Sequence, residues 1–405
     1  MKKFKNILLI LLITILLAAC GKSVEPKTNG DTEVVTEADN IKEEKKDEEK
    51  VEEKAEIDEL TGMEIESEEE IKFAKSFDIK YLKDGFVLID MKENSESLLL
   101  VPEGKEAPKD IEGLKIIQKP IERIAANSTT DVAMLKAIGE LDKVNAVTTD
   151  KGDWYIDGID ERIDSGDICY IGKSTSPDYE LLQSREPDIV LLVSSQTEAF
   201  QKVRDKLTEI GLNWSNVNNN IEDDPRGRIE WAKFFGALVD NREAANKYFD
   251  EQINKIEEIE SKTKDITDRK TAAYFRITKD GYTVKKADDY SVKMLELAGA
   301  DYGLSDIGED TGITKVSAED FIKMAENIDI LIHENMGAYI TNMDELLEHG
   351  DHLADLLAVK NGDIWTTDKN YWQSLDKSAD MIMELYDMIY GEDTPDDLNY
   401  YHRIK

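Results

Sequence analysis

Three consecutive hydroxyl residues, Ser128, Thr129 and Thr130, follow a short apolar run and precede a segment with helical spacing. Hydroxyls and backbone N–H groups at the start of a helix can hold an oxygen-rich or anionic ligand. The same residue types are also favoured helix caps, and one residue can serve both purposes. Ligand binding and helix capping are therefore both open interpretations of this motif.

Two aromatic pairs lie in polar segments of the chain. Trp154 and Tyr155 belong to a polar loop that contains Gly152, and Tyr371 and Trp372 follow a predicted late strand. Large aromatic side chains in such loops suit stacking on a flat ligand, although core packing would explain them equally well. In a chain with two facing halves, the second pair would mirror the first.

Several cations accompany these aromatic residues. Lys173 and Ser174 lie in a polar stretch, where the lysine is available for a carboxylate or a phenolate. Arg226 and Arg228 precede a long helical segment and could clamp an anionic chelate through paired hydrogen bonds. The competing interpretation for each charged residue is ordinary solvation.

His333 directly follows a predicted buried strand, where a ligand-facing residue belongs. It could serve as an axial ligand to haem or cobalt, or it could be a neutral imidazole that is hydrogen-bonded within its loop. The sequence contains no GxSxG, HExxH or P-loop motif, and no GxGxxG that opens a helix. Without a recognisable nucleophile and base, an enzymatic function is disfavoured.

From Pro120 onward, short apolar runs typical of strands alternate with segments of helical spacing, and these elements must position the residues above. Ile189–Val193 is a continuous apolar run, typical of a strand buried on both faces of a parallel sheet. Apolar residues then recur at helical spacing over 228–262, which predicts one long helix with a possible break near Asp240 and Asn241. A second αβ pattern follows. The chain is therefore predicted to be an α/β protein with two Rossmann-like lobes joined by one long helix and a ligand cleft between them.

The N-terminus predicts export and lipid anchoring. A basic start and a short apolar run lead to Leu17-Ala18-Ala19-Cys20-Gly21, a pattern that resembles a lipobox with Cys20 as the lipid anchor. The net charge of −37 argues against nucleic acid as a partner. The predicted divisions are a signal peptide (1–20), a disordered acidic linker (21–55), a small β-rich extension (56–118), an N-terminal lobe (119–224), a connecting helix (225–265) and a C-terminal lobe (266–405).

Five motifs in register resemble the periplasmic-binding family that serves importers of iron–siderophore complexes, haem and cobalamin. They include a first strand with a Ser/Thr-containing loop, a "helix, Pro-Asp, strand" pattern at 177–191 that returns in altered form at 316–331, and a late loop and strand at 357–365. The resemblance implies a rigid connecting helix. It also implies that Glu180 and Glu319, one at the tip of each lobe, dock against basic residues of the permease.

The resemblance implies the substrate-binding component of an ABC importer, with a permease and its ATPase as partners. The expected ligand is an iron complex of the siderophore type, and no intrinsic cofactor is expected. Haem or cobalamin is the alternative ligand, and a cell-surface enzyme or scaffold is the alternative function. The expected location is the outer face of the cell membrane, where lipidated Cys20 would hold the protein.

Overall fold

The computed structural model of the protein describes residues 55–92, 96–109, 111, 113–304, 307–308, 310–336 and 339–405. The signal segment, Cys20 and all but the last residue of the predicted linker therefore lie outside the described residues. None of the described helices is both long enough and apolar enough to cross a membrane.

The first sheet, called the N-terminal sheet, consists of β1 (Ile65–Glu68), β2 (Phe77–Leu82), β3 (Phe86–Met91), β4 (Ser97–Val101) and β5 (Leu114–Gln118), in that order. The Asp84-Gly85 pair between two apolar runs predicts a hairpin, and the antiparallel pairing of β2 and β3 confirms it. Asp84 and Gly85 both have positive φ angles, of 64° and 83°, as a tight hairpin connection requires. One face of the sheet packs on helical residues further along the chain, where the Phe77 and Trp231 rings meet edge to face at 4.7 Å.

The second sheet, called the parallel sheet, has the order β12-β11-β6-β7-β8, and all of its strands are parallel. Its strands are β6 (Ile124–Ala126), β7 (Val144–Val147), β8 (Cys169–Tyr170), β11 (Ile189–Val193) and β12 (Trp214–Val217). The apolar run predicted as a doubly covered strand is β11, which lies between β12 and β6. The connections contain α1 (Thr129–Ala137), α2 (Ile159–Ser165), α3 (Tyr179–Ser184), α4 (Glu198–Glu209) and a small hairpin of β9 (Gly172–Lys173) and β10 (Ser176–Pro177).

The connecting segment predicted over 225–265 is not one long helix: it is interrupted near Asp240 and Asn241, where the sequence allowed a break, and also at Trp231. The segment forms α5 (Pro225–Glu230), α6 (Ala232–Leu238) and α7 (Arg242–Thr263). Asp240 takes a left-handed φ of 59°, which a continuous helix cannot accommodate, and Asn241 then caps α7. A Cβ on Gly236 would lie 2.4 Å from the Cβ of Ala245, so α6 and α7 pack closely against each other instead of sharing one axis.

The third sheet, called the mixed sheet, has seven strands in the order β16-β14-β13-β17-β18-β19, with β15 paired to β13. Its strands are β13 (Thr271–Thr278), β14 (Gly281–Lys285), β15 (Asp301–Tyr302), β16 (Ile313–Val316), β17 (Ile330–His333), β18 (Ile364–Thr367) and β19 (Tyr401–Arg403). The β13–β14, β14–β16 and β18–β19 pairs are antiparallel, so the predicted Rossmann-like arrangement describes only part of this sheet. The helices are α8 (Tyr290–Leu297), α9 (Ala318–Ala325), α10 (Met343–Leu347), α11 (Leu357–Asn361) and α12 (Ser378–Tyr390). The described chain is thus a mixed α/β protein.

Candidate functional site

A cavity of about 280 Å³ lies where connections of the parallel and mixed sheets meet, and it is called the central cavity. Its wall comes from the start of α1, the loop after β12, α5, the start of α8 and the segment after β18. Four residues that sequence reasoning singled out line it together. The lining residues are Thr130, Asn219, Asn220, Arg228, Tyr290, Tyr371, Trp372, Leu375, Ser378 and Met381.

Arg228 is the charged residue in the wall of the central cavity. Its Nε donates to the Glu222 carbonyl at 2.8 Å and its Nη2 to the Asn220 carbonyl at 2.9 Å. The guanidinium carbon lies 3.5 Å from the centre of the Tyr290 ring. Burial lowers the pKa of Arg228, yet an arginine keeps its proton in a protein. Since Arg228 forms no ion pair with a described carboxylate, its charge remains available to an anion.

Trp372 and Tyr371 form another part of the wall. Trp372 donates its indole N–H to the Asn335 carbonyl at 3.3 Å, and the two rings meet edge to face at 5.1 Å. Burial raises the pKa of Tyr371 well above its ordinary value, so its hydroxyl stays protonated. These contacts hold the Trp372 ring in place at the cavity.

A buried ionic cluster lies next to the Trp372 ring. Glu334 is 2.9 Å from the Lys285 Nζ and 3.2 Å from the Arg276 Nη2. Both cations lie about 6 Å from the centre of the Trp372 ring, at 5.8 and 6.0 Å. Burial alone would lower the pKa of Lys285, but Glu334 and Asp289 raise it, so the lysine is charged. Sequence reasoning did not include this cluster among the site residues, because its members come from three separate strands and loops.

Ser128 and Thr130 of the hydroxyl motif take different roles: Ser128 caps a helix and Thr130 lines the cavity. Ser128 caps α1, because its Oγ accepts from the Thr130 N–H at 3.2 Å and lies 2.7 Å from the Thr130 Oγ1. Thr130 also lines the central cavity, whereas Thr129 does not. The next residue, Asp131, is buried, and the side chain of Asn219 lies close to its carboxyl group. Burial raises the pKa of Asp131 to about 8.

The raised pKa of Asp131 leads us to predict that the free energy of unfolding depends on pH. Because the folded pKa of Asp131 lies above its unfolded value of 3.8, its contribution is fully present below pH 3.8 and is lost as the pH rises to about 8. At about 1.4 kcal/mol per pKa unit, the loss amounts to several kcal/mol. We expect Asp131→Asn to be more stable than the parent protein at pH 8 and to lose this pH dependence in denaturant titrations. The exposed Asp265→Asn variant is the control, and an identical pH profile for Asp131→Asn and the parent would contradict the prediction.

Trp154 and Tyr155 do not line the central cavity. The Trp154 indole N–H donates to the Thr149 carbonyl at 3.2 Å, and the exposed Tyr155 borders two neighbouring hollows of about 420 and 530 Å³. Gln373 links the two aromatic pairs: it accepts from the Tyr155 N–H at 2.9 Å and donates to the Asp153 carbonyl at 2.7 Å. The smaller of these two hollows is acidic, with Asp157, Asp160, Glu161 and Asp368 in its wall.

Three other predicted site residues lie away from the central cavity. Lys173 is exposed on the β9–β10 hairpin, and the Ser174 carbonyl accepts from Asn127 at 3.0 Å. Arg226 pairs with Asp224 at 2.8 Å and lines a different hollow of about 320 Å³. It cannot clamp a ligand jointly with Arg228 because residues two apart on a helix point to different sides.

His333 is buried at the end of β17, and its surroundings favour the neutral, hydrogen-bonded imidazole that the sequence left open as one alternative. Its Nδ1 lies 3.1 Å from the Asn335 Oδ1, and its ring meets Phe275 edge to face at 5.3 Å. Burial lowers the pKa of His333 to about 4, so the imidazole is neutral at pH 7. Within the described ranges, no group of three or more His, Cys, Asp or Glu side chains is placed to hold a metal ion.

Glu180 and Glu319 occupy equivalent positions on two short helices. Each is exposed and is the second helical residue after a capping side chain, which is Asp178 for α3 and Ser317 for α9. No ion pair of either glutamate occurs among the described residues. Both carboxylates are therefore available to a basic partner.

Comparison with known proteins finds a matching family and two relatives of similar sequence. Residues 124–371 match the family described as Periplasmic binding protein. Two uncharacterized lipoproteins of Methanocaldococcus jannaschii are each 25% identical to the chain. One alignment covers 69% of this chain and 68% of the relative, and the other covers 98% and 99%.

Three solved structures share the fold at low sequence identity. A possible iron-binding (periplasmic solute-binding) protein of Staphylococcus epidermidis has a TM-score of 0.54 and 22% identity, and the match covers 67% of this chain and 100% of that one. A periplasmic haem-binding protein of Vibrio cholerae has a TM-score of 0.53 and 17% identity, and the match covers 65% of this chain and 98% of that one. A protein of an ABC-type Fe³⁺-hydroxamate transport system from Saccharomonospora viridis has a TM-score of 0.52 and 19% identity. The match covers 66% of this chain and 93% of that one.

Proposed function

Because the chain belongs to the periplasmic binding protein family, we propose that it is the substrate-binding component of an ABC importer. In this proposal the parallel and mixed sheets form two lobes, and α5–α7 connect them. The protein captures an iron complex between the lobes and delivers it to the permease and its ATPase.

The observation that carries the proposal is the guanidinium of Arg228 in the central cavity, which forms no ion pair with a carboxylate of the described residues. It is stacked on Tyr290 and fixed by two backbone carbonyls, so it is oriented before a ligand arrives. A carboxylate or catecholate group can accept paired hydrogen bonds from such a fork, and Trp372 offers an aromatic surface in the same cavity. These features support an anionic, oxygen-rich ligand group.

The hollows around Tyr155 add a second constraint on the ligand. The central cavity of about 280 Å³ suits one arm of a chelate, since pockets for drug-sized ligands occupy about 300–1,000 Å³. The rest of the ligand would extend toward the hollows that border Tyr155, one of which is lined by Asp157, Asp160 and Asp368. A ligand with its anionic group at one end, and neutral or cationic groups at the other, fits this charge distribution.

Haem or cobalamin is the second candidate ligand. The structures that share the fold include a haem-binding protein, which favours this class, whereas the burial of His333 and its contact with Asn335 count against its use as an axial ligand. A chelate that carries its own donor atoms needs no metal ligand from the protein. We therefore favour a siderophore-type chelate, and we propose no enzymatic reaction.

We also propose an extracytoplasmic location with lipid anchoring through Cys20. The lipobox-like sequence and the two lipoprotein relatives support it. Glu180 and Glu319 would then face the permease on the membrane side of the two lobes.

The experiment that tests the proposed function is a fluorescence titration of the mature protein. The panel contains ferric tris-catecholate, ferric citrate, ferric trihydroxamate, haemin and cobalamin. We expect saturable quenching by an anionic ferric chelate, because Trp372 lines the cavity. Tight binding of haemin or cobalamin alone would favour the second candidate, and no saturable quenching by any probe would contradict a transport function.

A further inference from the structure

The extension before the first lobe contacts the segment that carries Arg228. Residues 72–77, called the strap, run along the side of α5 and α6. Glu230, fully buried, accepts hydrogen bonds from the backbone N–H groups of Lys72, Phe73 and Ala74 at 2.6–3.0 Å. Successive N–H groups that converge on one carboxylate form an anion nest, a geometry that fixes both chain segments.

A second buried carboxylate connects the strap to the cavity. The Glu222 side chain accepts from the N–H groups of Lys75 and Ser76 at 3.0–3.1 Å and from the Trp231 indole at 3.2 Å. The backbone carbonyl of Glu222 is the acceptor for Arg228 Nε. The side chain of Glu222 therefore binds the strap, while its backbone carbonyl binds Arg228 in the cavity wall.

The packing between the strap and α5 is close. A Cβ on Gly227 would lie 3.0 Å from the Phe73 carbonyl oxygen, so a larger residue at position 227 would push the strap away. Phe77 packs edge to face on Trp231, and both side chains are fully buried. The residues after Glu222 cannot shift toward the strap, and the residues before it, Asn219 and Asn220, line the cavity.

We propose that the N-terminal extension is part of the ligand site, with Glu222 as a positioning residue that transmits the strap's constraint to Arg228. This inference rests on the proposed function, because it assumes that the central cavity holds the ligand. Its physical basis is preorganisation: an arginine that is already oriented loses less side-chain freedom when it binds an anion. The described residues of the extension do not themselves line the cavity, so the contact through Glu222 is how the extension would act on ligand capture.

The test uses the mature chain and the Glu222→Gln variant. Glutamine keeps the size of the side chain but presents an N–H₂ group to one of the three donors, which loosens the contact with the strap. Asp223→Asn is the matched control, because it removes the same charge from the next residue, which contacts the strap through the exposed Lys75 ammonium group and accepts none of the strap's backbone hydrogen bonds. Gly227→Ala is the second variant, because it displaces the strap without altering Glu222.

Two readouts separate this inference from the proposed function. The first is the ¹⁵N signal of the Arg228 Nε–H in the ligand-free protein, assigned by its loss in Arg228→Lys. The second is the Kd for ferric tris-catecholate. We expect Glu222→Gln to move or broaden the signal and to raise the Kd about 10-fold, with a smaller effect for Gly227→Ala and none for Asp223→Asn.

An unchanged Arg228 signal in Glu222→Gln would overturn the inference. If Glu222→Gln does not fold, an unchanged signal in Gly227→Ala would overturn it. If the parent protein binds no ferric chelate, the proposed function fails, while the ligand-free signal still decides whether the strap positions Arg228.

Discussion

Arg228→Ala should bind ferric tris-catecholate about 10- to 100-fold more weakly than the parent protein, because a hydrogen bond to a charged group contributes about 1.5–3 kcal/mol. The guanidinium lines the central cavity, and its removal leaves no carboxylate of the described residues without an ion-pair partner. The variant should still fold, with a melting temperature lowered by the loss of the Tyr290 contact and of the hydrogen bonds to the Glu222 and Asn220 carbonyls. The measurement is the fluorescence titration, with thermal unfolding as the check on folding.

Arg226→Ala is the matched control for this prediction. Arg226 lies two residues away on the same helix, but it pairs with Asp224 and Glu260 and lines a different hollow. Its replacement should leave the Kd at the parent value. Equal losses of affinity in both variants, or none in Arg228→Ala, would contradict the assignment of the anion site.

Simultaneous replacement of Glu180 and Glu319 by alanine should abolish uptake of the iron complex by whole cells and leave the Kd of the purified protein unchanged. Both carboxylates are exposed at the first turn of a helix, away from the central cavity. Charged groups at the edge of an interface guide orientation and the association rate, so their loss affects docking and not ligand capture. The measurement is uptake of a radioactive iron chelate, together with the titration.

The control for the docking prediction is the double variant Glu198→Ala and Glu326→Ala. It removes the same charge from two other exposed helix-end glutamates. Uptake by this variant should match that of the parent protein. If the Glu180 and Glu319 double variant takes up iron at the parent rate, the prediction that these residues dock the permease is contradicted.

Much of the fold could be predicted because local patterns determine it. The buried run that became β11 and the turn at Asp84 and Gly85 each carry their structure in a few consecutive residues. For the connecting segment, the sequence offered a break near Asp240 and Asn241 as a possibility but could not establish it. The break depends on the left-handed Asp240 and on the close approach of Gly236 to Ala245, a contact that apolar spacing does not reveal.

The candidate site could be predicted only in part. Residue type identified Thr130, Arg228 and Trp372 as ligand-contacting candidates, and the structure brings them to one cavity. Residue type could not distinguish Arg228 from Arg226, because the difference lies in which carboxylates fold against each one. Asp131 was missed because an aspartate in the first turn of a helix is usually an ordinary cap. Glu222 was missed because its partners lie almost 150 residues earlier in the chain.

The location of bound iron tests the central claim most directly. Crystals of the protein with the ferric chelate that binds most tightly, measured at the iron absorption edge, would reveal the metal by its anomalous signal. We predict a peak at the central cavity, with ligand oxygen atoms within hydrogen-bonding distance of the Arg228 guanidinium. A peak elsewhere on the protein, or a saturated complex whose ligand does not touch Arg228, would contradict this account.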